Sequence, residues 1–310
     1  MSAEYVAAVI NSTIRMMTPV LFAALGSALC SRVRVFNIAL EAQMLIAAFT
    51  GILVNYYTTN VWISVLAAVV SGMLVAFVVA ILQVKLKASD MVVGTSMNLL
   101  VGGLTTYLLF ITFNTKGSFQ DSSMKGLPKI ALPIIKDIPF LSTVFSRLTI
   151  LDYLAIFTAI GMFFFMFRTV SGFRVLAVGV NKQAAISQGM NADRTQIMAV
   201  TFSGLLCGLG GVLLSLGQVV LYTENMTSGR GFFAMAAANL GRSHPIGVII
   251  SSFFFGFAEA LGNSLQGTAI KSQLTMALPY VVTIIALVFS GGKVFKSKTK
   301  CKPEPADEKA

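Results

Sequence analysis

Two carboxylates stand inside long apolar runs of this 310-residue chain, Glu41 and Glu259. A charge at that depth costs roughly 2.5–3.5 kcal/mol or more unless it is partnered, protonated or wet, so an acid inside a membrane run marks a functional site by default. Glu41 would meet a solute in transit or, on a plainer reading, bond backbone or Arg34 near one surface. Glu259 lies toward the outer half of its run, where lining a pore or touching an external partner is the matching chemistry. Arg15 is the base of the first run. Counted from the turn at Ser31–Arg32, Arg15 lies about 25 Å deep and Glu41 about 13 Å at helical rise. The two are therefore not expected to pair, and Arg15 is expected to reach outward. Asn98, two turns into a later run, offers either an interhelical hydrogen bond or a pore-lining contact.

Other reactive chemistry is thin. Cys30, Cys207 and Cys301 lie far apart with no metal or redox spacing. The single His244 builds no metal site alone. No phosphate-loop pattern, Ser-His-Asp set or pair of carboxylates at hydrolase spacing occurs. The chain is expected to have no catalytic residue, no metal and no cofactor of its own.

The elements that position these residues follow from composition. The chain is 56% hydrophobic and 11% charged, where soluble domains carry about 25% charged residues. An all-α, polytopic membrane protein is expected. Nine apolar runs read as spans, about 5–30, 35–54, 61–83, 92–113, 150–168, 195–221, 231–243, 245–264 and 273–290. The seventh is short and glycine-bounded, and reads as a crossing or a re-entrant helix. Charge decides for the crossing. With the N-terminus outside and nine crossings, Arg32, Arg34, Lys85, Lys87, Arg168, Arg174, Lys182, Arg194, Arg242 and the lysine-rich tail fall inside. Lys116, Lys125, Lys129, Lys136, Arg147, Arg230 and Lys271 fall outside, which satisfies the positive-inside rule. The net charge of +11 is thus membrane topology, not a nucleic-acid footprint. The N-terminus lacks a basic region before its apolar run and does not read as a cleavable signal. Residues 1–292 form the membrane domain. Within it, 114–149, with Pro128, Pro133 and Pro139, is an outer loop with apolar interfacial stretches. Residues 293–310 are a disordered basic tail held at the anionic inner lipid surface.

The segment 169–194 stands apart. Arg174, Lys182 and Arg194 outnumber Asp193, and Gly172, Gly179, Ala184, Ala185 and Gly189 keep it small. Asn191 or Asp193 can cap the helix that follows. It reads as two short surface helices hinged near Gly189 and presented to a soluble partner, or as an ordinary connection.

Three stretches carry a resemblance. VGVNKQAAISQGMNADRTQIMAVTFSGLLCGLGGVLLSLG is similar to the cytoplasmic coupling segment and following helix of permease subunits of bacterial ATP-binding-cassette (ABC) importers, in the branch for simple sugars and nucleosides. Gly179, Asn181, Ala184, Ala185, Gly189, Asn191, Arg194, Ser203, Gly204, Gly208, Gly210 and Gly211 fill the family positions. CSRVRVFNIALEAQMLIAAFTG resembles a second signature through Asn37, Glu41, Met44 and Gly51, with Ala39 and Ala42 standing where the family has glycine. GRGFFAMAAANLGRSHPIGVIISSFFFGFAEALGNSLQ resembles a third. The resemblance implies a fold like the vitamin-B12-type importer permeases without their first helix. It implies that Gly179, Asn181, Ala184, Ala185, Gly189, Asn191 and Arg194 couple to an ATPase. Asn37, Glu41, Asn98 and Glu259 become candidates for the translocation pathway. Implied partners are an ATPase with two fused nucleotide-binding halves carrying ATP and Mg, a second homologous permease, and an extracytoplasmic substrate-binding lipoprotein. The implied cargo is a purine nucleoside, with a ribose-like sugar or a branched-chain amino acid as alternatives. An ATP-independent carrier or channel is the reading from another class.

Overall fold

The structure, a computed structural model, describes residues 3–130, 143–144, 146, 148–265 and 281. Its long helices are α1 (Ala3–Arg32), α2 (Leu40–Thr58), α3 (Val61–Ala80), α4 (Asp90–Phe113) and α5 (Ile150–Arg168). Then come two short ones, α6 (Val170–Val180) and α7 (Lys182–Ser187). The series ends with α8 (Ala192–Val212), α9 (Arg230–Leu240) and α10 (Pro245–Leu265). π-helical turns extend α3 over Ile81–Lys85 and α8 over Leu213–Val219. Among the described residues, six helices are long and apolar enough to cross a membrane: α1, α3, α4, α5, α8 and α10. α2 has 19 residues but carries Glu41, Gln43 and Asn55 and is not one of the six. α9 has 11 residues, about 16 Å at 1.5 Å each, half of a bilayer core. The expected ninth span and the basic tail lie outside the described residues, as does most of the apolar part of the outer loop.

Local chemistry sets the helix ends. Asn60 accepts from the Trp62 amide at 3.1 Å to start α3. Thr149 and Asp152 form a reciprocal capping box on α5, with the Thr149 amide 2.7 Å from Asp152 Oδ2. Pro19 sits inside α1 and has no N–H to offer the Arg15 carbonyl one turn back. Gln218 Nε2, from the end of α8, donates to that carbonyl at 2.9 Å. The break is thereby satisfied without water, as an apolar surrounding requires.

α8 is the central helix and packs on α1, α2 and α3. Its glycines explain how. A Cβ on Gly208 would lie 2.9 Å from Val69 Cα on α3, and one on Gly204 would strike Gly72 and Ala76 of the same helix. Gly210 opens toward Pro19 and Phe22 of α1, and Gly211 toward Met44 and Ala47 of α2. Close backbone approach through small residues is how helices associate where lipid removes the hydrophobic drive. α1 is clasped on its other side by α9 and α10, with Gly256 against Met17.

Two ends of the bundle can be told apart. At the end that carries α6 and α7, Arg32 Nε donates to the Ser243 carbonyl at 2.9 Å, and Gln196 Nε2 donates to the Val33 carbonyl at 2.9 Å. At the far end, β1 (Ser118–Phe119) pairs antiparallel with β4 (Tyr222–Thr223), so the loop after α4 is tied to the loop after α8. β2 (Lys129–Ile130) pairs antiparallel with β3 (Leu148–Thr149). In the far-end loop, the exposed Asp121 accepts from the Ser123 hydroxyl and amide, which holds its carboxyl below the usual range. The seventh run is a short helix, α9, and the chain before it over 220–229 holds only β4 and turns, with Val220, Asn225, Ser228 and Gly229 all at positive φ.

Candidate functional site

The segment between α5 and α8 folds as a small unit built from its caps. Thr169 accepts from the Gly172 amide at 3.1 Å to start α6. Asn181 accepts from the Ala184 amide at 3.1 Å to start α7. Asn191 accepts from the Arg194 amide at 3.0 Å to start α8. Of the two caps offered for α8, Asn191 is the one used. Asp193 instead meets Lys182 Nζ at 2.8 Å. Gly189 stands at φ +79, a left-handed exit from α7 that a side chain would strain. Gly179 lies against the Arg32 carbonyl at the end of α1, with no room for a Cβ. Lys182 Nζ also donates to Gln196 Oε1 at 2.8 Å, and Gln196 grips Val33, so the unit is bolted to the turn between α1 and α2.

The two alanines diverge. Ala185 is buried with Val178, Ala192 and Met190 in a core of their own. Ala184 is exposed on another face of α7, because successive residues point about 100° apart at 3.6 per turn. Several apolar side chains lie on the outer surface among the basic and polar ones. Val170, Phe173, Val180 and Ile186 are 71%, 57%, 74% and 47% exposed. These four escaped notice in the sequence, since apolar residues there look like a continuation of the preceding span.

Of the four residues singled out deeper in the bundle, three hold helix starts and the fourth, Glu259, pairs with a side chain beside one. Asn98 of α4 accepts from the Ala42 amide at 3.0 Å and donates to the Ile38 carbonyl at 3.2 Å. It serves from a neighbouring helix as the cap that Ala39 cannot supply to α2. Asn37 accepts from the Ala39 amide at 3.1 Å and donates to Ser203 Oγ of α8 at 3.1 Å. Glu41, 7% exposed, takes the Gly229 amide on one oxygen at 2.8 Å and the Gly231 amide on the other at 2.7 Å. Arg230, between them, forms an ion pair with Glu259 of α10. Glu41 and Glu259 therefore converge on one tripeptide, Gly229–Gly231, where the positive end of α9 opens inside the bundle. A carboxylate at a helix N-terminus satisfies the orphan amides and meets the favourable end of the dipole. Gly231 is required there because a Cβ would lie 2.5 Å from the Glu41 amide nitrogen. Glu41 thus bonds backbone, but that of α9, not Arg34. Arg230, placed in an outer loop by its sequence neighbours, is the partner of Glu259 that sequence reasoning missed. Among the described residues no group of three or more His, Cys, Asp or Glu side chains is arranged to hold a metal.

Comparison with known proteins places this geometry. The family described as "Branched-chain amino acid transport system / permease component" matches residues 9–287. A guanosine ABC transporter permease protein of Bacillus subtilis is 32% identical over 292 residues, covering 90% of each chain. A nucleoside ABC transporter permease protein of Lactococcus lactis is 32% identical and covers 91% of each. A putative glucose ABC transporter permease protein of Haloferax volcanii is 28% identical, over 93% of this chain and 92% of its own. No solved structure matches the chain.

Proposed function

The chain belongs to the permease-component family of branched-chain amino acid transport systems, and from that membership we propose that it moves a nucleoside across the membrane as the spanning subunit of an ABC importer. It is a multi-pass transport component, not an enzyme, and its family works with an ATPase and a substrate-binding protein. The observation that carries the nucleoside reading is full-length similarity, 32% in each case, to permeases named for guanosine and for nucleosides. The finer architecture belongs to the same proposal. Nine crossings put the N-terminus outside and the basic tail in the cytoplasm, with a helical fold like the vitamin-B12-type permeases. The ATPase carries two fused nucleotide-binding halves with ATP and Mg, the companion permease is a non-identical homologue, and the binding protein is a lipoprotein. In support, permeases of the Bacillus and Lactococcus systems each occur here as two different relatives.

The mechanism follows from the segment between α5 and α8. Its exposed apolar face over Val180, Ala184 and Ile186, ringed by Lys182, Arg174 and Arg194, suits docking into an ATPase groove. Gly179 and Gln196 bind it to the α1–α2 turn and the foot of α8. Motion of the ATPase is thereby delivered to the central helix and to α1, and the bundle rocks between two packings that expose the pathway to opposite sides. The test is reconstitution of the complete complex in proteoliposomes. ATP-dependent uptake of guanosine is expected. Uptake without ATP would make the chain a carrier or channel, and uptake of glucose or ribose but no nucleoside would favour the sugar reading that the Haloferax relative suggests.

A further inference from the structure

An importer needs a wall along which cargo moves, and Asn37, Glu41, Asn98 and Glu259 are each engaged by other groups of the chain. α4 supplies another surface. The rest of the chain covers only 17% of its most apolar stretch, against 33% for α3, yet α4 is the less apolar of the two. Toward its far end the bare face of α4 is broken by Gly102, Gly103, Thr106 and Tyr107. Thr95 and Thr105 donate their hydroxyls to carbonyls of their own helix. Thr106 is exposed and makes no such bond among the described residues. Gly102 leaves open space where a side chain would begin. On this face lies a broad, largely open depression of about 840 Å³ that includes Gly102, Thr106, Tyr107, Phe110, Lys116 and Glu224, a volume in the range of small-molecule sites, about 300–1,000 Å³.

The side chains here divide the work. Lys116 Nζ lies 5.4 Å from the Phe110 ring centroid and occupies that face. Glu224 accepts from the Gly117 amide at 3.0 Å and fixes the rim. Tyr107 is 61% exposed, and among the described residues its ring pairs with no other ring. A flat aromatic face with nothing on it, next to an unused hydroxyl, is complementary to a planar heterocycle bearing polar groups. Every nucleobase has a π-face, and aromatic platforms hold bases by stacking.

We propose that this cavity is the far-end vestibule of the translocation pathway and that Tyr107 is the platform on which the nucleobase of the cargo stacks. The proposal rests on the nucleoside reading above. The test uses the reconstituted complex with saturating binding protein. Tyr107→Ala lowers the maximal rate of guanosine uptake about tenfold, Tyr107→Phe keeps it, and both retain the ATPase and its hydrolysis rate. In a Cys301→Ser background, Thr106→Cys reacts with a charged thiol reagent and guanosine slows the reaction, while Leu66→Cys, on the bare face of α3, stays unreactive. Wild-type guanosine uptake with an indifferent Tyr107→Ala overturns this proposal alone, as does a reactive Leu66→Cys beside an inert Thr106→Cys. A wild-type complex that takes up no nucleoside removes the reading beneath it, and the proposal falls with it.

Discussion

Arginine at Ala185 and arginine at Ala184 should both release the ATPase, by different routes. Ala185 is 3% exposed, between Val178 at 1% and Ala192 at 2%, with only Met190 packed beside them. An arginine there buries an unpaired cation, about 3–5 kcal/mol, and overfills the site for about 1–3 kcal/mol more. Little opposes it. The Lys182–Asp193 pair is 42% and 58% exposed, worth about 0–1 kcal/mol. The caps at Asn181 and Asn191 are worth about 1 kcal/mol each. The cost exceeds these supports, and no residue of α7 joins the main core, so the segment opens while the bundle stays folded. Ala184→Arg changes an exposed position, within about 0.5 kcal/mol in the free chain. At a docked interface the same unpaired charge costs about 3–5 kcal/mol, several hundredfold or more in affinity at about 1.4 kcal/mol per tenfold. Co-purification with the ATPase reads the docking, and trypsin cleavage at Arg174, Lys182 and Arg194 reads the fold of the segment. Both variants should insert normally and lose the ATPase, but only Ala185→Arg should be cleaved rapidly. An Ala184→Arg permease that keeps its ATPase refutes the docking face, and an Ala185→Arg segment as resistant as wild type refutes the packing argument.

Glu41→Gln puts an amide donor where a carboxylate oxygen accepts a backbone N–H, so about 1–3 kcal/mol of stability should be lost. A lowered thermal unfolding midpoint of the detergent-purified protein is expected, and an unchanged one would show that the α9 start does not need the charge. Gln218→Leu strands the Arg15 carbonyl at a similar cost. Because Pro19→Ala restores the missing N–H, the loss should shrink in the double variant, and additive losses would sink the assignment. Gly208→Ala drives a Cβ to 2.9 Å from Val69 Cα, while at Gly161 nothing lies within 4 Å. The first should therefore destabilise the fold and Gly161→Ala should not, and equal behaviour in the same melts would argue against close α3–α8 contact.

Much of the fold is legible because bilayer thickness fixes how long an apolar run must be. The runs at 61–83, 92–113 and 150–168 reappear as α3, α4 and α5 within a few residues. The run at 231–243 shows where that reading stops. Its apolar character is real, but the helix has only 11 residues, about half of what a bilayer core needs, and its start is held by Glu41, some 190 places earlier. Composition cannot announce a cap donated from another helix. The same limit hides Gln218, whose role exists only because Pro19 leaves a carbonyl unpaired two hundred residues away.

At the candidate site, residue type was readable and direction was not. Asn181, Asn191 and Gly189 sit where cap and exit residues belong, since those roles are set by backbone a few residues away. The glycines of α8 announce close packing, but which glycine faces α1, α2 or α3 depends on rotation of the helix within the bundle. Glu41 is the sharpest instance. Depth arithmetic counts Glu41 at helical rise, whereas the chain before Leu40 is not helical and Glu41 falls in the first turn of α2; it is buried all the same, and a buried charge must find partners. The partners are two amides of a helix that begins inside the bundle, so the default expectation of a pathway contact and the plainer one of a backbone bond concern the same atoms. With both oxygens occupied, Glu41 reaches cargo only if α9 moves. A further exposed surface lies at the far end of α4, where the sequence shows two glycines, a threonine and a tyrosine among exposed leucines.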